Sequence, residues 1–158
     1  MTYMIEGLPR ERFSALFGLE DAELAALGAR RVVADGGGFP CRVSLVDAEV
    51  GESLILLNHV SNDVDGPYRA THAILVRENA EQAPPHFGRI PPVFVSRTLS
   101  LRGFGPNGDL IASRVSRPGE HDGAIRDLLS DPAIDHIDAH NAGHGCFSAR
   151  IERYMEAA

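Results

Sequence analysis

The chain reads as an α+β protein: a curved, mostly antiparallel sheet with two N-terminal helices and one helix before a C-terminal hairpin. Three observations predict this. Apolar residues recur at helical spacing near the amino end and again over residues 120–129. Residues 30–115 instead alternate with period two and are rich in turn formers. Asn107-Gly108 between two apolar runs, and a glycine-containing turn near residue 143, mark hairpins and therefore antiparallel neighbours.

The elements follow in order. Pro9 suits a first helical position, and Phe13, Leu16 and Phe17 stand at i, i+3 and i+4, so a first helix is expected there. A second covers residues 20–27, with acidic residues in its first turn and Gly28 as its stop. Strands are expected over residues 30–34, 41–46, 53–59, 71–77, 93–104 and 109–115. In the second of these, Cys41, Val43 and Leu45 alternate with Arg42, Ser44 and Val46. Residues 61–68 and 79–92 read as loops, the latter carrying four prolines that disfavour pairing. A helix over 120–129 presents Ala124, Ile125, Leu128 and Leu129 on one face, and Pro132 follows its end. Residues 134–140 and 146–153 form the closing hairpin. No linker divides the chain, so residues 1–158 form a single domain.

Composition narrows the chemistry. A net charge of −7 argues against nucleic acid or an anionic membrane as a partner. No window approaches the ~20 apolar residues of a membrane span, and no signal peptide is visible, so a cytoplasmic location is expected. All fifteen basic residues are Arg; the chain contains no Lys. That excludes a lysine Schiff base and a Walker A phosphate loop, both of which need a side-chain amine.

The two cysteines lie in the most chemically suggestive runs, Gly36-Gly37-Gly38-Phe39-Pro40-Cys41-Arg42 and His136-Ile137-Asp138-Ala139-His140-Asn141-Ala142-Gly143-His144-Gly145-Cys146. A thiol acts as nucleophile chiefly as its thiolate, which neighbouring cations favour. If the fold joins the runs, Cys41 or Cys146 would be a nucleophile, His140 its base and Asn141 the orienting group. Arg42 or Arg150 would contact an anion, and Tyr68 and Arg69 would line the same pocket. Arg150 is expected on the strand face of Cys146, from their even spacing. A second arrangement is metallic: His136, Asp138 and His140 share one strand face and, with a cysteine, could hold zinc or iron. A third is a reversible disulfide between the two cysteines, which their separation in sequence does not forbid.

Three segments carry a family resemblance: Gly38-Phe39-Pro40-Cys41-Arg42-Val43-Ser44-Leu45, Pro67-Tyr68-Arg69-Ala70, and His140-Asn141-Ala142 with Gly145-Cys146 and Arg150. In these, and in the order of its elements, nearly the whole chain resembles the bacterial DUF1203 family, whose function is unknown. The resemblance implies no activity and no cofactor. It implies that these segments are the family's signature and the place to look for a site.

The functional expectation is a small-molecule-binding protein with thiol-dependent chemistry on a small anionic or carbonyl-bearing substrate. A metal-binding protein using the His136, Asp138 and His140 set, and a non-enzymatic interaction module, are the alternatives. Whether the protein is an enzyme, its cofactor and its oligomeric state stay open at this level.

Overall fold

The computed structural model describes residues 2–157. The fold is α+β, as the patterning predicts, with nine strands among the described residues divided between two antiparallel sheets instead of one. The strands are β1 (Thr2–Glu6), β2 (Arg30–Val33), β3 (Ser53–Asn62), β4 (Ala70–Arg77), β5 (His86–Phe87), β6 (Leu99–Phe104), β7 (Leu110–Ser116), β8 (His136–Asn141) and β9 (Phe147–Tyr154). The helices are α1 (Asp21–Ala26), α2 (Pro92–Val95) and α3 (His121–Leu129). The larger sheet has the order β5-β1-β9-β8-β6-β7 and the smaller β2-β3-β4. Among the described residues no helix is long and apolar enough to cross a membrane.

Three expected elements differ. Instead of a first α-helix, Arg10–Arg12 and Ser14–Leu16 form two 3-10 turns, and a strand, β1, precedes them. A three-residue period serves a 3-10 turn as well as an α-helix, so the spacing of Phe13 and Leu16 did not separate the two. Residues 93–104 are not one strand, because Pro91 and Pro92 set a short helix start that ends at Ser96 before β6 begins. Residues 41–46 are a tight turn and not a strand.

The larger sheet has two unlike faces, and this difference positions everything that follows. Tyr3, Ile5, Leu99, Leu101, Ile137, Ala139, Ala149 and Ile151 point to one side, where α3 delivers Ala124, Ile125, Leu128 and Leu129 into the main core. Burying each large side chain there contributes about 1.5–3 kcal/mol. Successive strand residues face opposite sides, so His136, Asp138 and His140 emerge on the other face, and all three are buried. The smaller sheet covers them. His59 packs on Phe147 with ring centres 5.4 Å apart, and His72 meets the ring of His140 edge-on at 4.8 Å.

The two sheets therefore meet across a polar seam. At its centre Asp138, 1% exposed, accepts two hydrogen bonds from Arg150, at 2.8 and 3.1 Å. Arg150 also donates to the Ser61 carbonyl of β3 at 2.9 Å, tying one sheet to the other. Burial, reinforced by the positive charges of Arg12 and Arg150, pushes His59 down to about 4. Burial also pushes His140 down to about 4, against the hydrogen bond between its Nδ1 and the Gly145 carbonyl.

Two outcomes follow for stability. Between pH 6.5 and 4 the unfolded chain takes up protons on these rings that the folded chain refuses, so stability is complete above pH 6.5 and falls as the pH drops towards 4. His140 alone contributes up to about 3 kcal/mol to that loss. Melting temperatures from pH 7 to pH 5 should fall in the wild type and fall less steeply in His140→Gln; equal slopes would contradict the assignment. Separately, Asp138→Ala should cost about 2–4 kcal/mol in urea unfolding, because it leaves Arg150 without its counter-charge in the seam.

Candidate functional site

The turn at residues 40–46 is fixed from several sides. Cys41 N–H donates to the Val46 carbonyl (3.0 Å) and Leu45 N–H to the Cys41 carbonyl (3.1 Å). Leu45 adopts φ 54°, a left-handed conformation that costs a leucine about 1–2 kcal/mol and that the burial of its side chain in the main core offsets. Leu8 N–H donates to the Arg42 carbonyl at 2.7 Å. Beside it Gly7 leaves no room for a side chain, since a Cβ there would stand 2.3 Å from the Val43 carbonyl oxygen.

Because this segment is a turn, its side chains do not alternate between two faces. Cys41 is fully buried in a cluster with Phe13, Val43, Ile74, Val76 and Ala80. Its Sγ accepts the N–H groups of Arg77 (3.3 Å) and Ser44 (3.5 Å). Arg42 turns the other way and is 2% exposed. Its guanidinium donates to the Pro40 carbonyl (2.7 Å), the Phe147 carbonyl (2.8 Å) and Cys146 Sγ (3.1 Å). Among the described residues it pairs with no carboxylate. Burial draws it below the ordinary arginine range, and the neighbouring Cys146 sulfur opposes that pull.

Cys146 comes from the turn between β8 and β9. Asn141 N–H donates to the Cys146 carbonyl (2.9 Å) and Gly145 N–H to the Asn141 carbonyl (2.7 Å). Gly145 takes φ 78°, which favours glycine at that corner. Asn141 Nδ2 donates to Cys146 Sγ at 3.3 Å, while its Oδ1 is buried without a partner. The sulfur thus receives two N–H donors, one from a buried cation and one from an amide.

A cavity of about 750 Å³ opens onto this group, between the β8–β9 turn, the turn at residue 40 and the outer strand β4. Arg42, Asn141 and Cys146 line it, together with His72 and His144. The structure therefore brings together the two runs that the sequence singled out, but with one sulfur and not two. His140 lies behind the lining, with its Nδ1 donating to the Gly145 carbonyl at 2.9 Å and its ring against His72. Burial and the positive charge of Arg102 hold His72 below its ordinary value.

Arg150 is not beside Cys146. A β-bulge between Ala139 and His140, which pairs His140 with Phe147, interrupts the alternation on which their even spacing relied. Arg150 lines a separate cavity of about 480 Å³ with His59 and His136. Tyr68 and Arg69 sit on an exposed loop, where Arg69 pairs with Asp63, and neither lines a cavity described above. His136, Asp138 and His140 share a face as expected, yet Asp138 is engaged by Arg150 and His136 Nδ1 by Asp135 (3.1 Å). Among the described residues no three His, Cys, Asp or Glu side chains converge as a metal-binding group. Both cysteines are free thiols.

His72 and Arg97 are lining residues that sequence reasoning did not select. His72 had no partner in sequence, and its role depends on β4 crossing over His140. Arg97 is anchored by two hydrogen bonds to Asp47 (2.9 and 2.6 Å) and one to the Val93 carbonyl (2.8 Å). Neither contact is visible in local spacing.

No curated protein and no solved structure matches the chain significantly. A family model described as "Protein of unknown function (DUF1203)" matches residues 38–153, a span that starts just before the Cys41 turn and ends in β9 after Cys146. With more than half of its length matched, including both segments that build the cleft, the chain belongs to the DUF1203 family.

Proposed function

We propose that the protein binds a small carbonyl-bearing molecule in the cleft at Cys146 and that the Cys146 sulfur is its reactive group. One observation carries this reading: the buried Arg42 guanidinium donates to Cys146 Sγ and, among the described residues, meets no carboxylate. A guanidinium keeps its proton in proteins. Removing it from water costs several kcal/mol unless negative charge accompanies it. Among the described residues the Cys146 sulfur is the one side-chain acceptor hydrogen-bonded to Arg42, and it lines the cleft.

The two N–H donors, from Arg42 and Asn141, hold the sulfur at the cleft wall. His72, kept neutral, is then available to take or relay a proton during turnover. The arginines favour a carbonyl over an anion as ligand. Arg42 spends its donors on Pro40, Phe147 and Cys146, and Arg97 spends its on Asp47 and Val93, so neither presents an open fork to a carboxylate. A reducing compartment such as the bacterial cytoplasm suits two free thiols.

Iodoacetamide labelling, read by peptide mapping, tests this. In the folded protein Cys146, which lines the cleft, should be modified and Cys41, sealed in apolar packing, spared. Arg42→Gln should slow labelling at pH 7 by about tenfold, the loss of one charge-assisted hydrogen bond. Should that variant unfold, Asn141→Ala removes the second donor and should slow labelling by a smaller factor. Equal labelling of the two cysteines, or none at Cys146, would refute the reading.

A further inference from the structure

The walls of the cleft specify which carbonyl compound fits. β4 is the outer strand of the smaller sheet and pairs with β3 on one side only. In an antiparallel pair, alternate residues aim their N–H and C=O groups at the partner, and those between aim theirs away. The Leu75 carbonyl accepts Arg42 N–H at 3.1 Å, and Arg77 N–H donates to Cys41 Sγ at 3.3 Å. The odd-numbered residues of β4 therefore face away from β3. Register is unbroken from Arg77 to Thr71, so Ala73 and Thr71 face the same way.

Thr71 and Ala73 are exposed and line the Cys146 cleft. Among the described residues no turn or loop backbone group bonds to either. The segment Cys41-Arg42 thus covers the edge of β4 at residues 75–77 and leaves the edge at 71–73 open. Where that cover stops, Arg42 holds the sulfur.

We propose that the ligand is an extended peptide segment, which pairs with β4 at Thr71 and Ala73 and brings a backbone carbonyl to Cys146. This rests on the reading of Cys146 as the reactive group. The open edge corresponds to about 7 Å of strand, the length of two residues, and main-chain pairing of this kind supplies affinity while flanking pockets select side chains. Pro40, Leu56 and Leu75 offer an apolar pocket on the cleft wall. Asn141 Oδ1, buried without a partner, can accept an N–H from the bound backbone once the side chain or the ligand shifts to reach it.

Chloroacetyl-Leu-Ala-amide, its analogues N-methylated at each backbone nitrogen, and chloroacetamide test the proposal by their rates of Cys146 alkylation. The peptide should react about tenfold faster than chloroacetamide, the effect of one or two backbone hydrogen bonds. N-methylation should abolish that advantage, and so should Ala73→Pro, which removes an outward N–H at a position where an edge strand tolerates proline. Equal rates for peptide and chloroacetamide, or an advantage that survives N-methylation, overturns it. If chloroacetamide itself leaves Cys146 unmodified, the thiol reading fails separately. In that case acetyl-Ala-Leu-Ala-amide added to Cys146→Ser protein decides the edge alone: shifts of the Thr71 and Ala73 amide resonances uphold peptide pairing, and unchanged resonances at millimolar peptide end it.

Discussion

A buried arginine that pairs with no carboxylate among the described residues organises this molecule. Arg42 joins two pieces of chain that are far apart in sequence: its own turn through Pro40, and the junction of the β8–β9 turn with β9 through Cys146 and Phe147. Its backbone extends the connection, with its N–H on Leu75 of β4 and its carbonyl on Leu8 beyond β1. Both sheets are therefore clamped to one residue. Desolvating a cation in this way is unfavourable on its own, so the carbonyl dipoles and the sulfur around it are requirements of the fold as well as features of the cleft.

The second organising feature is the unequal pair of faces on the larger sheet. One face is a conventional apolar core under α3. The other presents Asp138, His136 and His140 to a small sheet that contributes His59 and His72. A seam of imidazoles around one ion pair is weaker glue than aliphatic packing, but it fixes orientation, because each hydrogen bond has a direction. The bulge at the start of β9 matters most here. It directs Phe147 into the seam and separates Cys146 from Arg150, so these two residues open onto different cavities in place of one shared pocket.

Much of the fold was legible because it depends on local rules. Helix α3 follows from its apolar spacing, α1 from its acidic first turn and Gly28, and the β6–β7 hairpin from Asn107-Gly108. The faces of β8 were correct from alternation alone. The errors lie where short-range signals are degenerate. A spacing of three fits a 3-10 turn or an α-helix, and the Cys41–Val46 alternation resembled a strand, although Cys41, Val43 and Leu45 are buried by tertiary packing on several sides.

By itself the sequence determined the α+β class and the antiparallel pairing, and it singled out the two cysteine-bearing runs that the fold brings together. Those properties depend on side-chain period and turn residues, which act over a few positions. Tertiary structure alone decided that Cys41 is sealed in apolar packing, that Cys146 meets Arg42, and that an open strand edge borders the cleft. Each of these depends on contacts across about thirty to a hundred residues of chain and on a single-residue bulge, and a one-residue slip reverses every face beyond it.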